Sequence, residues 1–223
     1  VKVGAAITVT GLACYENSFV GPAPRLRIRN RADVVCTEAA GLPFTDVPTG
    51  IWYYDAVSYL YQNGVIAGKT TTTLAPQETL TRGQIVAMLY RMEGEPTVES
   101  KSPFTDVDPA QYYAPAIAWA YENKIAYGMN TTEFAPGDFV TREQMVAFLA
   151  RYAAYKGKFE EAKGDLSAFP DAGNVDAYAV PYMAWAVEQS IVHGNNGKLL
   201  PRDTATRAEA SIILYNYCYY LAK

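Results

Sequence analysis

Three stretches of the chain place apolar residues at i, i+3, i+4 and i+7, the spacing that gathers side chains on one face of an α-helix. They are Ile85, Met88, Leu89 and Met92; Met145, Phe148, Leu149 and Tyr152; and Ala210, Ile213, Leu214 and Tyr217. Ahead of each lies a shorter helical pattern, with Val57, Ile117 and Met183 aligned, then Leu60, Ala120 and Ala186. Tyr59, Trp119 and Trp185 sit between those positions, where the spacing predicts core. These first helices stop near Asn63, Asn123 and Gln189, and a polar loop leads to the second helix. The pattern predicts a mainly α chain of three helix-loop-helix repeats, each too small to be stable alone, burying one another about a common axis. Residues 1–42 differ. Val3, Ile7-Thr8-Val9-Thr10 and Leu26-Arg27-Ile28-Arg29 alternate like short strands, separated by Gly21-Pro22-Ala23-Pro24. Two or three strands cannot bury a core of their own. This short β-type N-terminal segment is expected to pack on the remainder or to be the tail of a preceding domain.

The repeats, over 43–95, 103–156 and 168–223, recur at about 60 residues and share their punctuation. Phe44-Thr45-Asp46-Val47 is answered by Phe104-Thr105-Asp106-Val107 and by Phe169-Pro170-Asp171-Ala172. An aromatic follows each, at Trp52, Tyr112 and Tyr178, and a glycine follows each first helix, at Gly68, Gly128 and Gly194. A glycine there implies a turn of positive φ or a close backbone approach. Next come Leu74, Phe134 and Leu199, each two residues before a proline. The second helices open on Thr81-Arg82-Gly83-Gln84, Thr141-Arg142-Glu143-Gln144 and Thr206-Arg207-Ala208-Glu209. A threonine followed three residues on by Gln or Glu is a capping box, in which two orphan N–H groups are satisfied reciprocally. It leaves an arginine at the positive end of the helix dipole, where a cation helps neither helix nor cap and invites an anion.

Composition narrows the partners. A formal net charge of -4 with no basic stripe argues against nucleic acid. No apolar run is long enough to span a bilayer, and Val1 opens no signal-peptide pattern, so a mature or excised fragment is expected. Three cysteines, an odd count, argue against a disulfide framework. Cys14 pairing with Cys36 and free buried thiols both stand open, while Cys218 is expected in the core. The single histidine, His193, aligns with Ala67 and Tyr127, which argues against His-paired metal or triad chemistry. No nucleophile elbow, Walker-type loop or His-Glu-x-x-His is present, so no enzyme, cofactor or metal is expected. The 18 Tyr against 8 Phe and 3 Trp place ring faces with polar rims near water, which suits sugars as well as interfaces.

The Phe-x-Asp opening, the mid-repeat glycine, the apolar-x-Pro element and the Thr-Arg-x-Glu/Gln box, in this order three times over about 44–222, resemble three tandem S-layer homology repeats, of which only the third copy has the family's full Thr-Arg-Ala-Glu. The resemblance implies a pseudo-threefold bundle with one helix from each repeat at its centre and three prongs around it. It implies an extracellular module that anchors a bacterial surface protein to secondary cell-wall polysaccharide, often one carrying a pyruvate ketal. The grooves between prongs would bind it, with Arg82, Arg142 and Arg207 as chief contacts.

Physical chemistry adds its own expectations. A ketal carboxylate suits arginine and the helix N-terminal amides. Trp52, Tyr112 and Tyr178 would stack on sugar C–H faces, and Gly68, Gly128 and Gly194 would let the backbone approach the ligand. Gln84, Gln144 and Glu209 close the boxes; if the Glu holds its arginine or the ligand, the copies bind differently. Ala179, where the other copies have Tyr53 and Tyr113, thins one aromatic wall. Two bland alternatives stand beside these: arginines ion-paired to Asp46, Asp106 or Asp171, and aromatics that are core. The three Asp residues themselves are expected to fix loops or a helix start. The functional alternative is a protein-protein assembly module meeting other surface proteins.

Overall fold

The computed structural model describes residues 41–222 in full and, before them, the backbone of 6–9, 12–18, 21–27 and 34–37. The chain forms two compact units, Val1–Leu42 and Pro43–Lys223. In the first, β1 (Ala6–Val9) pairs antiparallel with β4 (Val34–Thr37), and β2 (Leu12–Ser18) with β3 (Gly21–Arg27). Four strands stand where two or three were expected, and the Gly-Pro-Ala-Pro separator is itself the start of β3. Both strands of a two-stranded ribbon are edges, and Pro22 and Pro24 lie two residues apart, so both missing N–H groups fall on one side of the strand. Val3, Thr10, Ile28 and Arg29 lie outside the described residues, as do the side chains of Cys14 and Cys36.

The second unit holds α1 (Tyr54–Gln62), α2 (Arg82–Met92), α3 (Ala114–Glu122), α4 (Arg142–Tyr155), α5 (Val180–Glu188) and α6 (Arg207–Leu221). Capping boxes start α2, α4 and α6. The shorter α1, α3 and α5 lack a side-chain cap, and α3 and α5 use a first-turn proline instead. The main helix contacts run between repeats: α3 packs on α2, α5 on α4, and α1 on α6. The last repeat thereby closes onto the first. Ile85 through Leu89 and Met145 through Ala150 are buried without a break, so α2 and α4 are covered all round rather than along one stripe. Trp119 and Trp185 are core as their spacing predicts, whereas Tyr59 is half-buried with its ring 5.3 Å from that of Tyr215. Cys218 is half-buried and free, and burial pushes its thiol up to about 11.

A closed triangle of backbone hydrogen bonds marks the pseudo-threefold axis. Leu80 donates to the Ala205 carbonyl, Ala205 to Val140, and Val140 back to Leu80, at 3.0, 3.3 and 3.0 Å. Each residue immediately precedes a capping threonine, and all three are fully buried. The three second helices therefore start from one shared point.

Candidate functional site

The loops before the second helices are shaped by the Phe-x-Asp motif. The Asp46 carboxylate accepts N–H bonds from Leu74 and Ala75, Asp106 from Phe134 and Ala135, and Asp171 from Leu199 and Leu200. Ala75, Ala135 and Leu200 have φ of 60°, 57° and 51°, a left-handed turn that side chains disfavour and that the paired bonds hold in place. The three aspartates thus fix loops, through bonds to amides 28 and 29 residues on rather than within a local turn. The motif's phenylalanine explains the glycine. A Cβ on Gly68 would lie 2.5 Å from the Phe44 ring and 2.7 Å from the Thr73 carbonyl, and one on Gly128 equally close to Phe104 and Glu133. Only Gly194 has positive φ, 79°. The space the glycines leave is filled by the repeat's own loop, so their close approach is to protein.

These turns aim the carbonyls of Leu74, Phe134 and Leu199 at an arginine from a different repeat. Arg82 Nε donates to Phe134 at 2.9 Å, Arg142 Nε to Leu199 at 2.9 Å, and Arg207 Nε to Leu74 at 2.8 Å. Nη2 of Arg82 also donates to Tyr127, and Nη2 of Arg207 to Ala67, at 2.9 and 2.6 Å. The arginines are 3, 6 and 7% exposed. Burial lowers the pKa of all three, and nearby carboxylates pull it back: Asp138 and Asp106 for Arg82, Glu209, Asp203 and Asp171 for Arg142, Glu78 and Asp46 for Arg207. The Phe-x-Asp carboxylates therefore act on the arginines through space while their hydrogen bonds go to loop amides. The helix N-terminal amides are also spent. Arg82 and Gly83 donate to Asp138 and Pro136, Arg142 and Glu143 to Asp203 and Pro201, Arg207 and Ala208 to Glu78 and Pro76. What remains for an anion is guanidinium: of its five N–H donors, Arg82 uses two in the hydrogen bonds above.

The twelve residues singled out in the sequence converge on three grooves, four in each. The first groove, about 360 Å³, joins Arg207, Gly68, Gln84 and Tyr112. The second, about 530 Å³, joins Arg82, Gly128, Gln144 and Tyr178. The third, about 410 Å³, joins Arg142, Gly194, Glu209 and Trp52. Each groove takes its arginine from one repeat, its glycine and cap residue from the next, and its ring from the third. Trp52, Tyr112 and Tyr178 are 62, 56 and 44% exposed, as a stacking surface must be and a core ring is not. Tyr53 and Tyr113 sit behind their neighbours, ring centroids 5.0 and 5.1 Å from Trp52 and Tyr112. Ala179 therefore removes a backing ring and leaves the groove-facing one in place. Tyr178 is held instead by its hydroxyl, 3.3 Å from Glu143, and burial together with that carboxylate pushes its pKa up to about 12.

The grooves are chemically unequal. In the first and second, Gln84 and Gln144 cap their helices with neutral amides. In the third, Glu209 caps Thr206 with one oxygen and sets the other 3.8 Å from Arg142 Nη1. Helix positions i, i+4 and i+7 from the cap residue line every groove, and i+7 is a residue that the sequence reading missed: Arg91, Arg151 and Asn216. Arg151 lies over two rings, 4.9 Å from Tyr127 and 5.2 Å from Tyr182. Arg91 and Asn216 donate to the equivalent carbonyls of Val65 and Ile191. Helical spacing from Gln84 and Gln144 was the available signal. In the second groove Arg202 also pairs with Asp176 at 2.6 Å; burial raises the pKa of Glu143 beside them, and the Arg202 bond lowers that of Asp176.

Comparison with known proteins bears out the three repeats. Residues 43–86, 103–146 and 168–211 each match the S-layer homology domain. The chain is 34% identical over 164 residues to the surface-layer 125 kDa protein of Lysinibacillus sphaericus, covering 71% of this chain and 13% of that one. It is 28% identical over 181 residues to a cell surface protein of Thermoanaerobacter kivui, covering 79% and 21%. It is 31% identical over 173 residues to an amylopullulanase of Thermoanaerobacterium thermosulfurigenes, covering 77% and 9%. The chain thus spans about a tenth to a fifth of the length of these relatives.

Proposed function

Because this chain belongs to the S-layer homology family, we propose that it holds a bacterial surface protein at the cell wall, its inter-repeat grooves binding a carboxylate-bearing secondary cell-wall polysaccharide. The observation that carries this reading is the convergence of an arginine, a cap residue, a close-packed glycine loop and an exposed ring in each of three grooves built on one plan. A pyruvate ketal is the acid group we favour. It sets a compact carboxylate on the rim of a sugar ring, so the guanidinium takes the charge while the aromatic takes the C–H face. Several weak sites on one unit multiply through effective concentration when one polymer reaches them together. The aligned amylopullulanase segment is a small fraction of that enzyme, which fits an anchoring rather than a catalytic part.

Calorimetric titration with purified cell-wall polysaccharide, intact and after removal of the ketal, tests this. Tyr112→Ala and Tyr178→Ala are the variants of choice, since both rings are exposed, whereas truncating an arginine would also remove bonds that hold the fold. Binding that needs the acid and weakens by roughly tenfold, about 1.4 kcal/mol, with either ring supports the reading. Failure of a folded wild-type chain to bind intact polymer transfers the case to the protein-assembly alternative.

A further inference from the structure

Four departures from the shared repeat meet at the second groove. The residue after the Thr-Arg pair is Gly83 on α2 and Ala208 on α6 but Glu143 on α4. The residue after the groove ring is Tyr53 and Tyr113 in the first two repeats but Ala179 in the third. Two residues before that ring stand Gly50, Ala110 and Asp176, and after the loop proline stand Gln77, Gly137 and Arg202. Glu143, Asp176 and Arg202 line the second groove together with Tyr178. One chain of hydrogen bonds joins them: Arg202 Nη2 donates to the Asp176 carboxylate at 2.6 Å, the Asp176 N–H to one Glu143 oxygen at 3.0 Å, and the Tyr178 hydroxyl to the other at 3.3 Å.

Space links the departures. A Cβ on Gly83 would lie 3.2 Å from the Tyr113 ring and 3.0 Å from the Pro136 carbonyl, so a long side chain has no room there while that ring is present. With Ala179 in place of the ring, the equivalent position on α4 admits a glutamate, and Glu143 is only 3% exposed. A buried carboxylate is costly unless it is hydrogen-bonded, and both Glu143 oxygens accept bonds from the neighbouring repeat. We propose that Glu143 is the positioning residue of the second groove, taking the place of the missing tyrosine and fixing the ring of Tyr178 and, through Asp176, the Arg202 guanidinium. This rests on the reading that the grooves bind saccharide. In the other two grooves an edge-to-face contact sets the ring, Tyr112 on Tyr113 and Trp52 on Tyr53. In the second a directional bond to a carboxylate sets it, and that bond lies at the hydroxyl and takes up none of the ring face that a sugar would cover. A ring held before the ligand arrives removes an ordering cost from binding.

The test reads one groove against another in the whole chain. A ketal-bearing oligosaccharide from the wall polymer is titrated in, the amide NMR signal of Gly128 reporting the second groove and that of Gly68 the first. Glu143→Ala should weaken binding roughly fivefold at Gly128, the cost of ordering a loosened ring, and leave it unchanged at Gly68. Glu143→Gln keeps an acceptor without the charge and should recover part of the loss. Glu143→Gly combined with Ala179→Tyr gives this interface the pair found at Gly83 and Tyr113, and should restore affinity at Gly128 with no carboxylate present. It decides the matter together with Glu143→Gln if Glu143→Ala fails to fold. Affinity at Gly128 that none of these changes alters, a loss shared equally by Gly68, or a folded double variant that binds no better than Glu143→Ala overturns the positioning role and leaves the anchoring reading standing. So does a wild-type Gly128 that stays silent while Gly68 responds. Silence at every groove removes the saccharide reading and this inference with it.

Discussion

Arg82→Ala should cost the fold far more than its position at a groove suggests. Wild-type Arg82 is 3% exposed, and its guanidinium donates to the carbonyls of Phe134 and Tyr127. It also lies 4.7 Å from the centroid of the Phe134 ring. Each charge-assisted bond is worth about 1.5–3 kcal/mol, and truncation strands buried acceptors as well. The ring contact adds about 0.5–1 kcal/mol. The sum is about 3.5–7 kcal/mol, a large part of the 5–15 kcal/mol that holds a typical domain. Arg142 makes one such bond, to Leu199, and a longer contact with Glu209, so Arg142→Ala should cost about 2 kcal/mol. Urea unfolding of both variants, followed by circular dichroism, measures the difference. Equal losses, or an Arg82→Ala loss below about 0.5 kcal/mol, would refute the reasoning, since surface changes stay in that range. Arg82→Lys keeps the charge without the fork and should recover only part of the loss.

The glycines make a second test: Gly128→Ala forces a Cβ against the Phe104 ring and the Glu133 carbonyl and should destabilise by about 2 kcal/mol or more, whereas Gly137→Ala, with open space around it, should be neutral in the same melt. Among the described residues Tyr217 Oη is buried without a hydrogen-bond partner, so Tyr217→Phe should be neutral or stabilising; Tyr152→Phe, which loses a 2.6 Å bond to Glu93, should cost about 1–2 kcal/mol by thermal unfolding. The Asp171 carboxyl feels burial that would raise its pKa, but the N–H groups of Leu199 and Leu200 outweigh it and hold the group below its ordinary 3.8. Its stabilisation is therefore complete above that value and lost as pH falls through the lower folded-state value, and Asp171→Asn should flatten this part of the acid limb in pH-dependent unfolding.

Local physics made much of this molecule legible. The capping boxes needed only a threonine and a Gln or Glu three residues on, and all three form as expected. The apolar period marked the second helices because each carries a continuous buried face. Equivalent motifs at one spacing also made it clear that Gly68, Gly128 and Gly194 answer one requirement, and a Cβ at each would meet the Phe-x-Asp ring and the repeat's own loop. What could not be read was which copy serves which. Arg82 reaches a loop 45 to 52 residues on, and Arg207 one that precedes it by 133 to 140, a cyclic exchange that no local signal encodes. Arg91 and Arg151 escaped for a related reason: helical spacing puts them on the same face as Gln84 and Gln144, but only the tertiary arrangement makes that face the wall of a groove. The strand over Gly21-Pro22-Ala23-Pro24 was hidden by prolines that an edge tolerates.

The most direct test of the anchoring account is where the ligand sits. An amide chemical-shift map of the ¹⁵N-labelled chain, titrated with ketal-bearing wall oligosaccharide, should concentrate its changes around Gly68, Gly128 and Gly194, with Tyr112, Tyr178 and Trp52 beside them. Phe139, Tyr155 and Tyr219, exposed rings that line none of the three grooves, should stay unmoved. Changes centred on those outer rings, with the groove glycines silent, would contradict it.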